Sequence, residues 1–268
     1  MTSPSKSSIN PYAYQLRYGW NAWPGEDTRF PPRPSSLQEI VDLWETDGLR
    51  PLEWVWTPEG IQILFSTVPG VAPVELAQRA KGRLQHLLRK NGTPATFSRK
   101  VSAASVGNAH EQGVDNYLQQ QLQGADFADP RYRDALAELA FQTSDFSLCD
   151  PIFTHSGRYV YALHVVFVTA ERWRMPLKTA TIVQKAFLNM SESSTWKIGK
   201  LSMMPDHVHL AIRGDPQWNP QAIVEALREA TCTAAGTRGF WMPGAYMGTF
   251  GPYGMGAIRA KVRNEDSP

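Results

Sequence analysis

Two stretches of the chain resemble each other without a gap: PYAYQLRYGWNAWPGEDTRFPP at residues 11–32 and GRYVYALHVVFVTAERWRMPL at residues 157–177. They align when Tyr14 is set beside Tyr159. In the second stretch, aromatic and apolar side chains recur at every second residue from Tyr159 to Phe167, which predicts a β-strand. The repeated beginning predicts that one structural unit occurs twice in the chain.

The similarity continues through the stretches that follow. The sequences SSLQEIVDLWETDG at residues 35–48 and LKTATIVQKAFLNMSES at residues 177–193 each predict a helix. In the first of these, the serines are expected as the N-cap and the final glycine as the end. Each helix is followed by a stretch that predicts a second strand, LEWVWTPEGIQILFSTV at residues 52–68 and KIGKLSMMPDHVHLAIRG at residues 197–214.

A further helix and a closing segment complete each unit. The helices are predicted at residues 74–92 and 220–239, and a glycine ends both. The closing segments read SVGNAHEQGVDNYLQQQL at residues 105–122 and TFGPYGMGAIRAKVRNED at residues 249–266. The order strand, helix, strand, helix, strand, helix therefore occurs twice.

This order predicts an α+β protein with two similar domains. The chain has 268 residues, which is enough for two small domains. We assign residues 10–123 to the first domain and residues 157–268 to the second. Residues 124–156 form a connector that includes a short helix.

Composition limits the class of protein. Hydrophobic residues make up 42% and charged residues 19%, which favours a folded chain over a disordered one. The net charge of +2 does not by itself indicate a nucleic-acid binder. The two cysteines are too few for a disulfide scaffold or a cysteine zinc site. Because no long apolar run and no apolar leader appear, we expect a cytoplasmic protein without a membrane span.

The string His207-Val208-His209 is a candidate metal site. Side chains of a strand alternate between its two faces, so both imidazoles leave the same face and can ligate one divalent ion. An isolated His-x-His pair is more often structural than metal-binding. The preceding Met-Pro-Asp and the surrounding apolar strand make the motif more specific here.

Tyr117 and Gln121 form a second candidate pair. Positions four residues apart share one face of a helix, so the phenol and the amide would project together. The phenol is a candidate nucleophile, and the amide oxygen is a candidate third ligand for the ion. Without further context, a surface tyrosine in a glutamine-rich helix end is the simpler interpretation.

These strings together resemble a known family. MMPDHVHLAI at residues 203–212, with SVG at residues 105–107 followed by NYLQQQ, is similar to the single-tyrosine HUH transposases of the insertion-sequence and REP-associated types. The resemblance implies ferredoxin-like domains, with antiparallel sheets and helices on one face. It also implies a dimer, in which the tyrosine helix of one subunit completes the HUH metal site of the other.

The family pattern is divided between the two halves of this chain. The second half keeps His207 and His209, but Lys261 stands at its tyrosine position. The first half keeps the tyrosine helix, but Gly60 and Gln62 stand at its HUH positions. The resemblance therefore implies a monomer that acts as an internal pseudo-dimer, with one composite site and one degenerate site.

The implied reaction is metal-dependent nicking and rejoining of single-stranded DNA. The tyrosine would form a covalent 5′-phosphotyrosine, and Mg²⁺ or Mn²⁺ is the expected cofactor, although two imidazoles and an amide also suit zinc. The alternatives are a catalytically inactive domesticated transposase that binds DNA hairpins, and a structural protein without nucleic-acid affinity.

The DNA-binding surface is expected on the helix at residues 74–92. It carries a basic cluster that can hold phosphates, formed by Arg79, Lys81, Arg83 and Lys90. A solvated helix face is the alternative. His164 is a further candidate for DNA contact, but it is as readily a core residue.

Overall fold

The computed structural model describes residues 12–108, 110–114, 116–117, 129–155 and 157–252. Within them the chain forms two six-stranded sheets with helices packed against them, in agreement with the predicted α+β class. No helix in these ranges is both long enough and apolar enough to cross a lipid bilayer.

The first half begins with strands and helices that precede the segment around Tyr117. In chain order they are β1 (Ala13–Gln15), β2 (Arg17–Pro24), α1 (Gln38–Thr46), β3 (Leu49–Thr57), β4 (Gly60–Thr67), α2 (Pro73–Lys90) and β5 (Phe97–Val106). Helices α1 and α2 pack against one another and against strands β2, β3 and β5. Apolar side chains on both helices, including Trp44 and Leu84, are fully buried.

A short helix and two short strands are described in the connector. They are α3 (Pro130–Ala137), β6 (Phe141–Gln142) and β7 (Ile152–Thr154). The second half begins with β8 (Gly157–Val160) and continues with β9 (Ala162–Val168), a 3-10 turn (Ala170–Arg172), α4 (Leu177–Ser193), β10 (Lys197–Met203), β11 (His207–Arg213), α5 (Pro220–Ala235) and β12 (Tyr246–Phe250).

Each sheet contains strands from both halves. The strand order is β3-β4-β2-β5-β8-β7 in the first sheet and β1-β12-β9-β11-β10-β6 in the second. The four long strands of each sheet are antiparallel, as expected. The expectation of wholly antiparallel sheets was wrong, because β1 pairs in parallel with β12 and β8 pairs in parallel with β5.

The two parallel pairs arise from the same local event. The strand predicted at the start of each half breaks after a few residues, and its first part pairs with the edge strand of the other half's sheet. Tyr14 of β1 pairs with Met247, and Tyr159 of β8 pairs with Ala103. The two halves therefore exchange their leading strands.

The strand registers of the two halves also correspond. Gly19 pairs with Leu64 and Ala104 in the first sheet. At the matching place in the second sheet, His164 pairs with Ala211 and Gly248. Equivalent positions of the two halves therefore lie at equivalent places in the two sheets.

Two glycines allow the sheets to approach closely where β5 and β12 end. A side chain on Gly107 would meet the carbonyl oxygen of Thr249, and one on Gly251 would meet the carbonyl oxygen of Ser105. Any larger residue at either position would push the backbones apart. The close approach brings the end of β5 beside the second sheet.

Several predicted boundaries differ from the structure. Each predicted second strand is a hairpin of two strands, because Pro58-Glu59 and Pro205-Asp206 lie at turns. Helix α1 begins after Leu37 without a side-chain cap, so the expected serine cap was wrong. Gly236, at a φ of 74°, ends α5 in place of the predicted Gly239.

Strands of the predicted connector, residues 124–156, join both sheets. β6 pairs with β10 in the second sheet, and β7 pairs with β8 in the first. Residues 118–128 lie outside the described residues, so the boundary between the first domain and the connector stays a prediction.

Candidate active site

The two histidines of the motif lie on β11, on the same face of the second sheet. Val208 and Leu210 point to the opposite face and are fully buried in the core beneath α4 and α5. The rings of His207 and His209 are nearly perpendicular, and their centroids lie 4.9 Å apart. The predicted alternation along this strand is confirmed.

Tyr117 reaches the same face from the first half of the chain. It lies in the tyrosine segment, defined here as residues 110–114 and 116–117, in which residues 111–114 and 116–117 are helical. The Tyr117 ring meets the His209 ring edge-on, with centroids 5.5 Å apart. Its side chain remains 47% exposed, so the phenol is open to a ligand entering from solvent.

Specific contacts hold the tyrosine segment on the second sheet. The backbone N–H of Glu111 donates to the carbonyl oxygen of Gly251 at 3.1 Å. The Glu111 carboxylate accepts hydrogen bonds from the Ser147 hydroxyl and the Leu148 backbone N–H, each at 2.9 Å. Val114 is buried in a small apolar cluster with residues of β8, β9, β11 and β12. The position of Tyr117 therefore depends on second-half and connector residues.

His164 of β9 is the immediate neighbour of His209. The two rings are stacked, with centroids 5.3 Å apart and an interplanar angle of 11°. His164 Nε2 and His209 Nδ1 lie 3.1 Å apart, which is hydrogen-bond distance. Burial lowers the pKa of His164 to about 4. Burial, with His164 and His207 nearby, lowers the pKa of His209 to about 3, so both imidazoles are uncharged at neutral pH.

His207 is oriented by a carboxylate. Its Nδ1 lies 2.6 Å from Asp206 Oδ1, and Arg172 Nη1 donates to Asp206 Oδ2 at 3.0 Å. Burial alone would raise the pKa of the Asp206 carboxyl, but the hydrogen bonds from His207 and Arg172 outweigh it and hold that pKa below its ordinary value. Asp206 therefore accepts hydrogen bonds as a carboxylate.

The turn that carries Arg172 has an unusual backbone. Glu171 and Arg172 have φ angles of 53° and 55°, in the left-handed region that residues with a side chain rarely occupy. Thr169 anchors the turn, because its hydroxyl donates to the carbonyl oxygens of Trp173 and Asp206. Backbone strain of this kind often accompanies functional sites.

These side chains surround a cavity of about 640 Å³. Strands β9, β11 and β12, the turn after β9 and the tyrosine segment form its walls, with the lining residues Gly113, Val114, Tyr117, His164, Val166, Val168, Arg172, His207, His209 and Tyr246. Burial raises the pKa of the Tyr246 phenol, Arg17 offsets part of that rise, and Tyr117 adds to it. The described residues of the cavity wall thus include two phenols and three imidazoles.

The two motif histidines suit a divalent ion. The Nδ1 atoms of His207 and His209 are engaged by Asp206 and His164, which leaves the Nε2 atom of each ring for a ligand. His209 Nε2 is buried and has no hydrogen-bond partner among the described residues. Imidazoles with such outer partners are typical of metal ligands. The described residues hold no group of three or more His, Cys, Asp or Glu side chains arranged for a metal.

Gln121, the predicted third ligand, lies outside the described residues, as does Lys261 of the predicted degenerate site. Gly60 and Gln62 begin β4, at the positions that correspond to His207 and His209 in β11. The first half therefore has no imidazole at either of these positions.

The predicted DNA-binding residues of α2 all have partners within the protein. Arg83 forms a two-point ion pair with Asp47, and Lys90 pairs with Glu39. Arg79 and Lys81 donate to the backbone carbonyl oxygens of Asp47 and Ser98, respectively. DNA phosphates would have to compete with these contacts.

Sequence reasoning missed two residues that line the cavity. Tyr246 and Arg172 come from stretches far from the motif, and no local pattern marks them. For His164, the sequence allows both a DNA contact and a core position. Its spacing of two and four residues from Val166 and Val168 does indicate that the three side chains share one face of the predicted strand.

Comparison with known proteins gives one family match. Residues 158–252 match the sequence model of the IS200-like transposases, a range that holds His207 and His209 but not Tyr117. No curated protein matches the chain. The match covers less than half of the chain and supports a transposase role.

Solved structures give weaker likenesses. A protein of Deinococcus radiodurans R1 described as a transposase is 18% identical, with 40% of this chain and 92% of that chain covered and a TM-score of 0.32. A REP-associated tyrosine transposase bound to a REP hairpin is 14% identical, with 38% and 61% covered and a TM-score of 0.30. A protein described as a glycine cleavage system transcriptional repressor is 12% identical, with 88% and 98% covered and a TM-score of 0.23. Because these TM-scores are low, the site assignment rests on the contacts described above.

Proposed function

We propose that this chain is a single-tyrosine HUH transposase of the IS200-like type, whose two halves form an internal pseudo-dimer with one composite active site. The main observation in support is the 5.5 Å separation between the ring centroids of Tyr117, from the first half, and His209, from the second. The exchanged leading strands and the matching registers of the two sheets also support an internal duplication.

In the proposed reaction, the Tyr117 oxygen attacks a phosphorus atom of single-stranded DNA. A bond forms between the phenolic oxygen and phosphorus, and the bond from phosphorus to the 3′-oxygen breaks. The phenol loses one proton and the departing 3′-oxygen gains one, so the step leaves a 5′-phosphotyrosine and a free 3′-hydroxyl. Attack by a 3′-hydroxyl reverses the step and rejoins the strand.

His207 and His209 would hold the divalent ion through their Nε2 atoms, with Gln121 as the proposed third ligand. When bound, Mg²⁺ or Mn²⁺ would polarise the scissile phosphate and stabilise the developing charge. Asp206 fixes the orientation of His207, and Arg172 in turn holds Asp206.

The substrate we propose is single-stranded DNA that folds into imperfect hairpins, with the basic cluster of α2 as its phosphate-binding surface. The cavity beside Tyr117 is open to solvent on the side of the exposed phenol, so an extended strand can enter it. One nucleophile per chain allows nicking, retention of one end and rejoining. Exchange between two element ends would then need two chains or two successive turnovers.

Formation of a covalent complex tests this proposal. The purified chain is incubated with Mn²⁺ and a labelled pool of single strands that share a hairpin stem and have randomised flanks. A denaturing gel then detects protein-bound label. We expect a covalent band for the wild type and for Tyr14→Phe, a control at another exposed tyrosine, and no band for Tyr117→Phe. A band with Tyr117→Phe would exclude this nucleophile, and hairpin binding without any band would favour the inactive DNA binder.

A further inference from the structure

His164 belongs to neither of the two sequence motifs, yet it makes the closest polar contact to His209. It lies on β9, on the face shared with Val166 and Val168, and it is diagonal to His209 across the β9–β11 pair. Its Nε2 lies 3.1 Å from His209 Nδ1. The two rings are near-parallel, with an interplanar angle of 11°.

The direction of this hydrogen bond depends on which nitrogen of each ring carries the proton. Each neutral imidazole has one N–H and one lone pair, and the hydrogen bond made by one nitrogen selects the role of the other. If His209 Nδ1–H donates to His164 Nε2, the buried Nε2 of His209 keeps a free lone pair. If His164 donates instead, His209 Nε2 carries a buried N–H, which has no acceptor in the part of the chain that the structure describes.

We propose that His164 is a positioning residue that holds His209 in the Nδ1–H tautomer and so directs the Nε2 lone pair of His209 into the cavity. This inference deepens the proposed function, since the choice of tautomer rests on His209 as a metal ligand. His164 does for His209 what Asp206 does for His207. The two ligands differ, however, because one is supported by a neutral ring and the other by a carboxylate.

The first half of the chain supports the same assignment. The register of its sheet puts Gly19 at the position that corresponds to His164, and Gln62 at the position that corresponds to His209. The half without the ligand histidines therefore also has no counterpart of the supporting ring. A ring kept only to fill the core would have no reason to be absent together with the ligands.

Tautomers can be measured directly in the metal-free protein. Long-range nitrogen–proton correlation spectra distinguish Nδ1–H from Nε2–H histidine, and the six histidines are assigned by single substitutions. Free histidine favours the Nε2–H form. We expect His209 to be Nδ1–H in the wild type and to revert to Nε2–H in His164→Leu, which lacks an acceptor. His209 as Nε2–H in the wild type, or unchanged in His164→Leu, would overturn the proposal.

Metal binding gives a second readout. We expect the affinity for Mn²⁺, measured by calorimetry, to fall about 10- to 100-fold in His164→Leu, the usual effect of losing an outer partner of a ligand. His164→Gln retains an acceptor oxygen and should recover part of the affinity. His86→Leu, at an exposed position of α2, should bind as the wild type does.

The two readouts separate the possible failures. If the wild type binds no Mn²⁺, the proposed metal site fails, while the tautomer spectra still test the role of His164. If the wild type binds Mn²⁺ and both His164 variants bind equally well, the positioning role fails and the metal site stands. Should His164→Leu not fold, the wild-type tautomer and the His164→Gln affinity still decide the question.

Discussion

Ser105 and Thr249 make reciprocal hydrogen bonds across the junction of the two sheets. The Ser105 hydroxyl donates to the carbonyl oxygen of Phe250 at 2.6 Å, and the Thr249 hydroxyl donates to that of Val106 at 2.6 Å. Each side-chain oxygen also accepts from a backbone N–H at the break in a leading strand: Ala162 donates to Ser105, and Arg17 donates to Thr249. These contacts hold the two sheets together beside the tyrosine segment.

Removing either hydroxyl should destabilise the fold. Ser105→Ala leaves a buried N–H and a buried carbonyl oxygen without this partner, and Thr249→Val does the same on the other side. We expect each to lower the free energy of unfolding by about 1–3 kcal/mol, measured by urea denaturation. Ser102→Ala, at a half-buried position on the same strand as Ser105, is the control. Equal stability of all three variants would contradict a structural role for the junction.

The repeat in the sequence was sufficient to predict the location of most helices and strands, and the internal duplication that it indicates stays a proposal. It was not sufficient for the parallel pairs β1–β12 and β5–β8, because strand exchange between halves leaves no local pattern. The two hairpins were also missed. Their turns, at Pro58-Glu59 and Pro205-Asp206, are so short that the apolar pattern on both sides predicts one continuous strand.

The two halves should differ in metal binding. We expect one Mn²⁺ per chain in calorimetry, and complete loss of binding when His207 and His209 are both replaced by Ala. The paired control is Gly60→Ala with Gln62→Ala, at the corresponding positions of the first half, and it should bind as the wild type does. A side chain at position 60 makes only ordinary van der Waals contact with its surroundings, so this control should fold. Two ions per chain, or weaker binding by the control, would contradict a single composite site.

The basic cluster of α2 should contribute to the salt dependence of hairpin binding. Replacing Arg79, Lys81, Arg83 and Lys90 together by Gln should reduce the slope of log affinity against log salt by about 3, since each phosphate contact contributes about 0.7 to 0.9. Fluorescence anisotropy over a range of NaCl concentrations measures this slope. The control replaces Lys178 and Lys185, both exposed on α4, by Gln. If both variants gave the same slope, or if the α2 variant kept its full affinity, DNA would have to bind at another surface.

The stability of the metal-free protein should depend on pH through His164 and His209. Their pKa values in the folded state, about 4 and about 3, lie below the ordinary value of 6.5. Below pH 6.5 the unfolded chain therefore binds more protons than the folded chain, so the free energy of unfolding falls as the pH is lowered towards 4.

For two such groups the slope approaches about 2.7 kcal/mol per pH unit at most. Their contribution is fully present above pH 6.5. Urea denaturation in the presence of a chelator measures the slope, which should be shallower when both residues are replaced by Gln. His86→Gln serves as the control. If the free energy of unfolding changed with pH equally in the wild type and the double variant, these two rings would not be responsible for the loss of stability at low pH.

The candidate site could be anticipated only in part. Alternation along the strand located His207 and His209 on one face, and helical spacing marked Tyr117. The hydrogen bonds to His164 and Asp206 required tertiary structure, because they depend on ring orientation and on the turn at Arg172. The ion pairs of Arg83 and Lys90 could not be predicted from the sequence either, because their partners Asp47 and Glu39 are distant in sequence.

The most direct test of the composite site is to identify the residue that carries the DNA. The covalent complex is digested with nuclease and protease, and mass spectrometry locates the peptide that retains a nucleotide phosphate. We predict that Tyr117 carries it, and that no modified peptide forms when His207 and His209 are replaced by Ala. Attachment to Tyr246, the other phenol of the cavity, or to any other residue would contradict the account.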